Sequence, residues 1–331
     1  MTRGRVGVIG AGIAGLSAAR QLVDEGFDVL VLEKSRGLGG RSSTRRDGAD
    51  AFDHGAQYFT CHSPRFEAQV EEWCRRGVAA AWETSIARLA NGSAERLDGE
   101  TKRYVGVPGM SALARNLGAG LSVECQVRVT KIEPAVDGWT LRAESGESKG
   151  PFDAVIVAAP APQAAALLEL QPSLARLAGG AQMLPCVAAM LRFDDPLGLD
   201  FGGAFVEGSP LAWVARNASK PDHRVRCESW VLHASPEWSA AHLDEPPEVL
   251  AAELQRAFAE ALGRTLPRIR SNTVHTWRFA RTESPVGVPF LWDRSSRIGA
   301  CGDWTLGARV EDAFTSGTRL AAAIRDAGCR S

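Results

Sequence analysis

The stretch from Val6 to Arg41 leaves this chain few ways to fold. Val6-Gly7-Val8-Ile9 is an apolar run, Gly10-Ala11-Gly12-Ile13-Ala14-Gly15 follows it, a helical pattern extends to Gly26, and a second run, Val29-Leu30-Val31-Leu32, ends in Glu33. The pattern predicts strand, tight turn, helix and strand. Gly10 permits the sharp turn, Gly12 lets backbone approach a pyrophosphate, and Gly15 lets the helix pack close to the sheet. The helix N-terminus then offers free N–H groups and a positive dipole end to phosphates. Glu33 falls 18 residues past Gly15, where an acid can hydrogen-bond a ribose hydroxyl. A glycine-rich turn of some other α/β unit would leave Glu33 without a reason, so the stretch reads as a dinucleotide-binding unit.

Gly37-Leu38-Gly39-Gly40-Arg41 comes directly after the acid. Together with Gly10, Gly12, Gly15 and Glu33, it resembles the amine oxidase and related FAD-dependent oxidoreductases. That resemblance implies non-covalent FAD, with Glu33 on the adenosine ribose and Arg41 along the pyrophosphate and flavin. It extends the cofactor-facing set to Ile13, Ala14, Lys34, Gly40, Ala56, Gln57 and Val129. Near the other end, Arg297-Ile298-Gly299-Ala300-Cys301 leads into Gly302-Asp303-Trp304 and then Arg309-Val310-Glu311. A strand ending in Gly-Asp resembles the second FAD fingerprint of this class. Asp303 would bind the ribityl chain or pyrophosphate, and a helix from about Glu311 would point its positive end at the flavin pyrimidine edge.

The chain has 331 residues, enough for a large core and two domains. A net charge of -1 gives no basis for binding nucleic acid or an anionic membrane. Seven scattered cysteines, none in a CxxC pair, argue against a zinc site, a disulfide framework or a disulfide oxidoreductase, and point to a reducing compartment. A strand starts within six residues of Met1, so no leader peptide is visible and a cytoplasmic setting is expected. The run Ala154–Leu168 is too short, and too interrupted by Pro160 and Pro162, to span a bilayer.

Along the chain, Phe52 to Thr60 reads as a loop carrying Asp53, Gly55 and Gln57. Arg65–Arg76 reads as a helix with Phe66, Val70 and Trp73 on one face, and Trp82–Arg103 as polar and irregular. Met110, Leu113 and Leu117 mark a second helix, and Val123–Ala143 reads as β-structure, with Val127–Val129 a strand near the adenine end. Phe152–Ala158 suits a buried parallel strand. From Ala161 to Pro289 short β-rich runs suggest an antiparallel sheet, interrupted by a helix from Pro246-Pro247 to Gly263 with Val249, Leu250, Leu254, Ala257, Phe258 and Leu262 as its apolar stripe. The expected fold is α/β with an α+β insertion: a Rossmann-type FAD-binding domain (1–60, 104–160 and 290–331) and a substrate domain on an antiparallel sheet (61–103 and 161–289). This is the arrangement the resemblance implies for amine oxidase or p-hydroxybenzoate hydroxylase-like proteins.

No second GxGxxG is present; after Gly118-Ala119-Gly120 the third position is Val123. A nicotinamide compound would therefore enter as a substrate at the flavin face. Further stretches are similar to the bacterial renalase-like flavoproteins across nearly the whole chain. They are Gly55–Thr60, Val105–Ser111, Ala215–Pro221, Leu232–Ser235 with Trp238-Ser239, Trp277–Arg281, and Cys301–Trp304 with Arg309–Glu311. That similarity implies an oxidase of 2- or 6-dihydro isomers of NAD(P)H, with hydride passing to flavin N5 and O2 reduced to H2O2. Candidate substrate-facing residues are Asn217, His233, Trp277, Arg278, Gln57 and Tyr58, with Arg216 and Lys220 for phosphates. Trp277 and His233 also read as core residues, and Arg216 and Lys220 as solvated loop charges. An amine oxidase and a non-catalytic flavin-binding protein stay open as alternatives, although two tyrosines supply a tyrosine-built amine cage poorly. Partners are expected to be a small molecule and O2, with no nucleic acid, membrane or metal, in a monomer or homodimer.

Overall fold

The computed structural model describes residues 3–47, 50–99, 101–222 and 227–328, so Cys329 lies outside them. Arg5–Ile9 is central in a six-stranded sheet. It pairs in parallel with Asp28–Glu33 on one side and Ala154–Val157 on the other. Ser122–Cys125 extends the sheet beyond Glu33, and Ile298–Ala300 extends it beyond Val157, both in parallel. Leu291–Asp293 closes that edge antiparallel.

Continuous apolar strands are needed because both faces are covered. Val6, Val8, Val29, Val31 and Ile156 pack with the helices Ile13–Asp24, Ser111–Gly118 and Val310–Ala327. Ile9, Leu30, Leu32, Val155 and Val157 pack on the opposite side with a three-stranded meander, Val129–Ala135, Gly138–Ala143 and Ser148–Phe152. The Val129 strand begins two residues later than the expected Val127. Phe66, Val70 and Trp73 of Pro64–Arg75 join the first of these cores.

A second sheet of seven strands runs Ile269–Ser284, Gln182–Phe193, Glu228–Ala234, Leu211–Arg216, Gly203–Val206, Ile86–Ala90 and Ser93–Arg96. The last two correct the irregular reading of residues 82–103. Ser93–Arg96 is exposed throughout, so it lacks the apolar alternation that marks a strand. One face of the sheet packs Val187, Ala189, Leu191, Phe193 and Leu232 against Leu250, Leu254 and Phe258 of Pro247–Ala261. Val249, expected in that stripe, is 37% exposed. The other face is turned to the first domain. Its register sets His275, Ala188, His233 and Trp213 side by side on four neighbouring strands.

Two glycines bring backbone against backbone around the first helix. A Cβ on Gly15 would sit inside van der Waals contact of the Gly10 carbonyl, and one on Gly317 would meet the Ala14 carbonyl. Gly317→Ala should therefore lower stability by about 1–3 kcal/mol. Gly179→Ala, where the nearest atom to a new Cβ lies 3.9 Å away, should be neutral or stabilising. Urea midpoints of the two variants test the contrast.

Candidate active site

The dinucleotide turn is built as its glycines require. Gly10 has φ +107°, and a side chain there would lie 2.7 Å from the Ala158 carbonyl. Gly12 differs, because a Cβ there meets nothing within 4 Å and its backbone is in an ordinary extended conformation. That open flank adjoins Ile13 and Ala14, at the start of a helix that no side chain caps. Gly39 bridges to Gly12, and Gly40, at φ +52°, would bring a Cβ 3.7 Å from Gly12 Cα. Glu33 is buried. It accepts the Ala11 N–H on Oε2 at 2.7 Å and the Ser35 N–H on Oε1 at 2.8 Å, so it also holds the turn in shape. Lys34 is exposed, 3.1 Å from Gln163 Oε1, and Val129 is buried beneath the sheet.

The second fingerprint meets the first. Arg41 and Asp303 form a bidentate pair at 2.8 and 2.5 Å, and Thr282 Oγ1 donates to the same carboxylate at 3.2 Å. Arg41 was expected along the cofactor and Asp303 on its ribityl chain; here each neutralises the other at the junction of the two fingerprints. Gly302 precedes Asp303 and donates its N–H to Ser316 Oγ at 3.0 Å. Arg309 caps the Val310–Ala327 helix, with its N–H on Asp312 Oδ2 at 2.9 Å. Glu311 is engaged within the chain. It accepts His62 N–H at 2.8 Å and Ser63 Oγ–H at 2.5 Å, at the start of Pro64–Arg75. A carboxylate is favoured there because that helix end carries partial positive charge.

Loop 53–57 lies between the two sheets. Ala56 donates its N–H to the Arg41 carbonyl at 2.9 Å. The His54 carbonyl accepts Trp277 Nε1–H at 2.9 Å and lies 3.3 Å from His233 Nε2. A carbonyl can only accept, so His233 carries its proton on Nε2. The His54 ring is buried against His275 and Trp277, at centroid distances of 4.9 and 5.0 Å. Burial, reinforced by His275 and Arg45, holds His54 down at about 4; burial does the same for His233, also at about 4. Asn217 is wholly buried; its Nδ2 donates to the Ala51 carbonyl at 3.1 Å while Oδ1 has no donor among the described residues.

Several candidates lie elsewhere or are already engaged. Arg278 is exposed and pairs with Asp244 at 2.9 Å. It neighbours Trp277 on one strand, and successive strand residues point to opposite faces. Gln57 is buried and folds back: Nε2 donates to the Asp53 carbonyl and Oε1 accepts from Lys220 Nζ at 3.1 Å. Lys220 is no solvated loop charge. Its side chain is wholly buried and its ammonium pairs with Asp53 at 3.1 Å. Arg216 pairs with Glu228 at 2.8 Å. Tyr58 packs between Trp82 and Trp213, at 6.1 and 5.5 Å. Sequence reasoning missed Trp82, Trp213 and His54, which belong to no short motif; only a face assignment for each strand could have gathered them. Among the described residues no group of His, Cys, Asp or Glu could hold a metal, and no helix is long and apolar enough to cross a membrane.

The fold and the two converging fingerprints define a FAD-binding oxidoreductase. The profile of the flavin containing amine oxidoreductases matches residues 65–325, and an NAD(P)-binding Rossmann-like profile matches residues 8–75. This chain belongs to the flavin-containing amine oxidoreductase family. Curated relatives match over limited segments. Lysine-specific histone demethylase 1 homolog 2 of Arabidopsis thaliana is 57% identical over 47 residues, 14% of this chain and 6% of its own length. The 4-hydroxybenzoate brominase (decarboxylating) of Marinomonas mediterranea is 25% identical over 162 residues, 46% of this chain and 25% of its own. Solved structures match throughout at 14–15% identity, covering 98% of this chain and 99% of theirs. A candidate protoporphyrinogen oxidase of Exiguobacterium sp. 255-15 gives a TM-score of 0.78, and putrescine oxidase bound to putrescine gives 0.68.

Two measurements test this site. Gly12→Ala should leave the cofactor-free fold at wild-type stability, since its Cβ enters open space, yet weaken FAD binding at least about tenfold. Flavin fluorescence titration beside thermal melts of apoprotein checks both halves. Folded His54 and His233 stay neutral down to about pH 4, whereas the unfolded chain's histidines protonate near 6.5. The unfolded state binds more protons in that window, so stability should fall as pH drops from 6.5 to 4, and above 6.5 the loss is absent. The melting temperature of a His54→Gln/His233→Gln double variant should change less steeply across that range.

Proposed function

We propose that this protein oxidises 2- or 6-dihydro isomers of NAD(P)H to NAD(P)+, with O2 reduced to H2O2. The observation that carries this reading is how the buried carboxylates between the two sheets are neutralised. Those that could bind an ammonium hold the chain's own cations: Asp53 with Lys220 and Asp303 with Arg41. The aromatic rings are similarly engaged. Lys220 Nζ lies 5.8 Å from the Trp82 ring centre and the Arg103 guanidinium 5.3 Å from that of Tyr58. Those rings already carry cations of the chain, so they are poorly placed to cage a cationic amine.

The residues present fit FAD: the open flank at Gly12, the uncapped first turn and the buried acid at Glu33 suit a dinucleotide. Gly10, Gly12, Gly15, Gly40, Arg41, Asp303 and the helix beginning at Val310 would hold it. Bound FAD supplies the acceptor for the hydride and passes the electrons to dioxygen. The chain's own part is to bind and orient. Asn217 Oδ1, buried without a donor among the described residues, suits a carboxamide N–H. Trp277 and His233 hold the His54 carbonyl and so fix the loop between the two sheets. Aromatisation of the nicotinamide drives hydride departure, so no protein base is required.

Mixing the FAD-loaded protein anaerobically with borohydride-generated NADH isomers, pure β-NADH and a panel of amines tests the assignment. Bleaching of the flavin by the isomer mixture, with β-NADH and amines inert, is expected. Bleaching by an amine with the isomers inert would overturn the reading in favour of amine oxidation. A flavin that stays oxidised with every donor would mark a protein that binds flavin without turnover.

A further inference from the structure

Lys220 stands at an uncommon position. Its side chain is wholly buried, directly after the short turn Asn217–Ser219, where its own N–H donates to the Asn217 carbonyl at 3.0 Å. The ammonium reaches across to the first domain and donates to Asp53 Oδ2 and Gln57 Oε1, both at 3.1 Å. Trp82 covers it with its ring, and the Trp82 indole N–H is tied to Ser219 Oγ at 3.1 Å and to the Ser219 carbonyl at 3.2 Å. Enclosed in this way, Lys220 cannot touch a substrate phosphate.

Asp53 completes the connection. It is wholly buried, and its Oδ1 accepts Thr44 Oγ1–H at 2.7 Å and Met110 N–H at 2.9 Å, both from the first domain. Gln57 returns to the same loop through Nε2, which donates to the Asp53 carbonyl. Between these two residues, Gly55 presses on the Arg41 carbonyl so closely that no Cβ fits, and Ala56 donates to that same oxygen at 2.9 Å. Loop 53–57 is thus held on the cofactor side by Arg41, and on the substrate-sheet side the ammonium acts beside the Trp277 and His233 contacts to the His54 carbonyl.

We propose that Lys220 is a positioning residue, which clamps loop 53–57 between the two sheets by binding both the Asp53 carboxylate and the Gln57 carboxamide. A methionine would fill similar volume without removing a charge from water, and a buried ion pair is seldom the more stable choice. What the ammonium adds is geometry. Its donors are directed to two acceptors four residues apart on one loop, fixing both ends of it, and Lys220 itself contacts no substrate. Burial pushes the ammonium below the ordinary lysine range, against the pull of Asp53, in keeping with a charge retained for its contacts.

The clamp does not depend on the proposed substrate, although one arm of its test uses that substrate. The full-length FAD-loaded protein would be compared with Lys220→Met and with Lys220→Met/Asp53→Asn. The carboxamide introduced by Asp53→Asn keeps an acceptor for Thr44 and Met110, so the double variant removes both charges of the Lys220–Asp53 pair together, and its melting temperature should stay near wild type. Amide hydrogen exchange in peptides spanning 53–57 should rise about tenfold or more in the double variant, with the Ile13–Asp24 helix unchanged. Flavin reduction by the NADH isomers should slow by about tenfold at saturation, with little change in the half-saturating concentration. Wild-type exchange in 53–57 in a stably folded double variant would overturn the proposal. If wild type itself is not reduced by the isomers, the substrate reading fails, while the exchange arm still decides the clamp.

Discussion

Close backbone contact around one helix is the constraint on which the rest depends. Ile13–Asp24 starts against the Gly10 carbonyl through Gly15 and accepts the last helix against its Ala14 carbonyl through Gly317. No side chain fits at either contact. The turn at Gly12 and the end of the Ile298–Ala300 strand are thereby brought to the same edge of the sheet, and Arg41 can reach Asp303. Changing either glycine would separate the two fingerprints before it disturbed any residue proposed to touch a substrate.

From that edge, order passes to the second sheet through a few polar links as well as through a shared core, in which Ile86, Trp213 and Ala215 pack in one cluster with Phe59, Leu113 and Phe314. The His54 carbonyl meets Trp277 and His233, Lys220 meets Asp53 and Gln57, and Thr282 meets Asp303. These bonds have directions, which apolar packing lacks, and they set how the two sheets face each other. The outer face of the seven-stranded sheet, packed on Pro247–Ala261, forms a separate apolar core.

Much of the fold was legible because its strongest signals are local. The strand, turn and helix around Gly10–Gly15 are set by periodicity and by glycines that act on their immediate neighbours. The same holds for the helices bearing Trp73, Leu113 and Phe258. The site was harder to read, for a physical reason. Whether a polar side chain faces a cleft depends on strand parity and on partners far along the chain. Trp277 and Arg278 are equally suggestive as letters, and only register sends one inward and the other to Asp244. Lys220 looks like a loop charge until Asp53, 167 residues away, is placed beside it. Glu311 lies beside a fingerprint in sequence, yet its carboxylate serves Ser63. Ser93–Arg96 hides as a strand because neither of its faces is buried.

The joining of early and late segments also bears on synthesis. The Gly10–Gly15 turn leaves the ribosome some three hundred residues before Asp303 and the helix that seats Gly317. Domains usually form from the N-terminus onward, and the early sheet here would wait for its Ile298–Ala300 strand. Until those segments are made, the nascent chain presents half a cradle. A complete cofactor site therefore awaits the later segments and not the appearance of the glycine-rich turn alone.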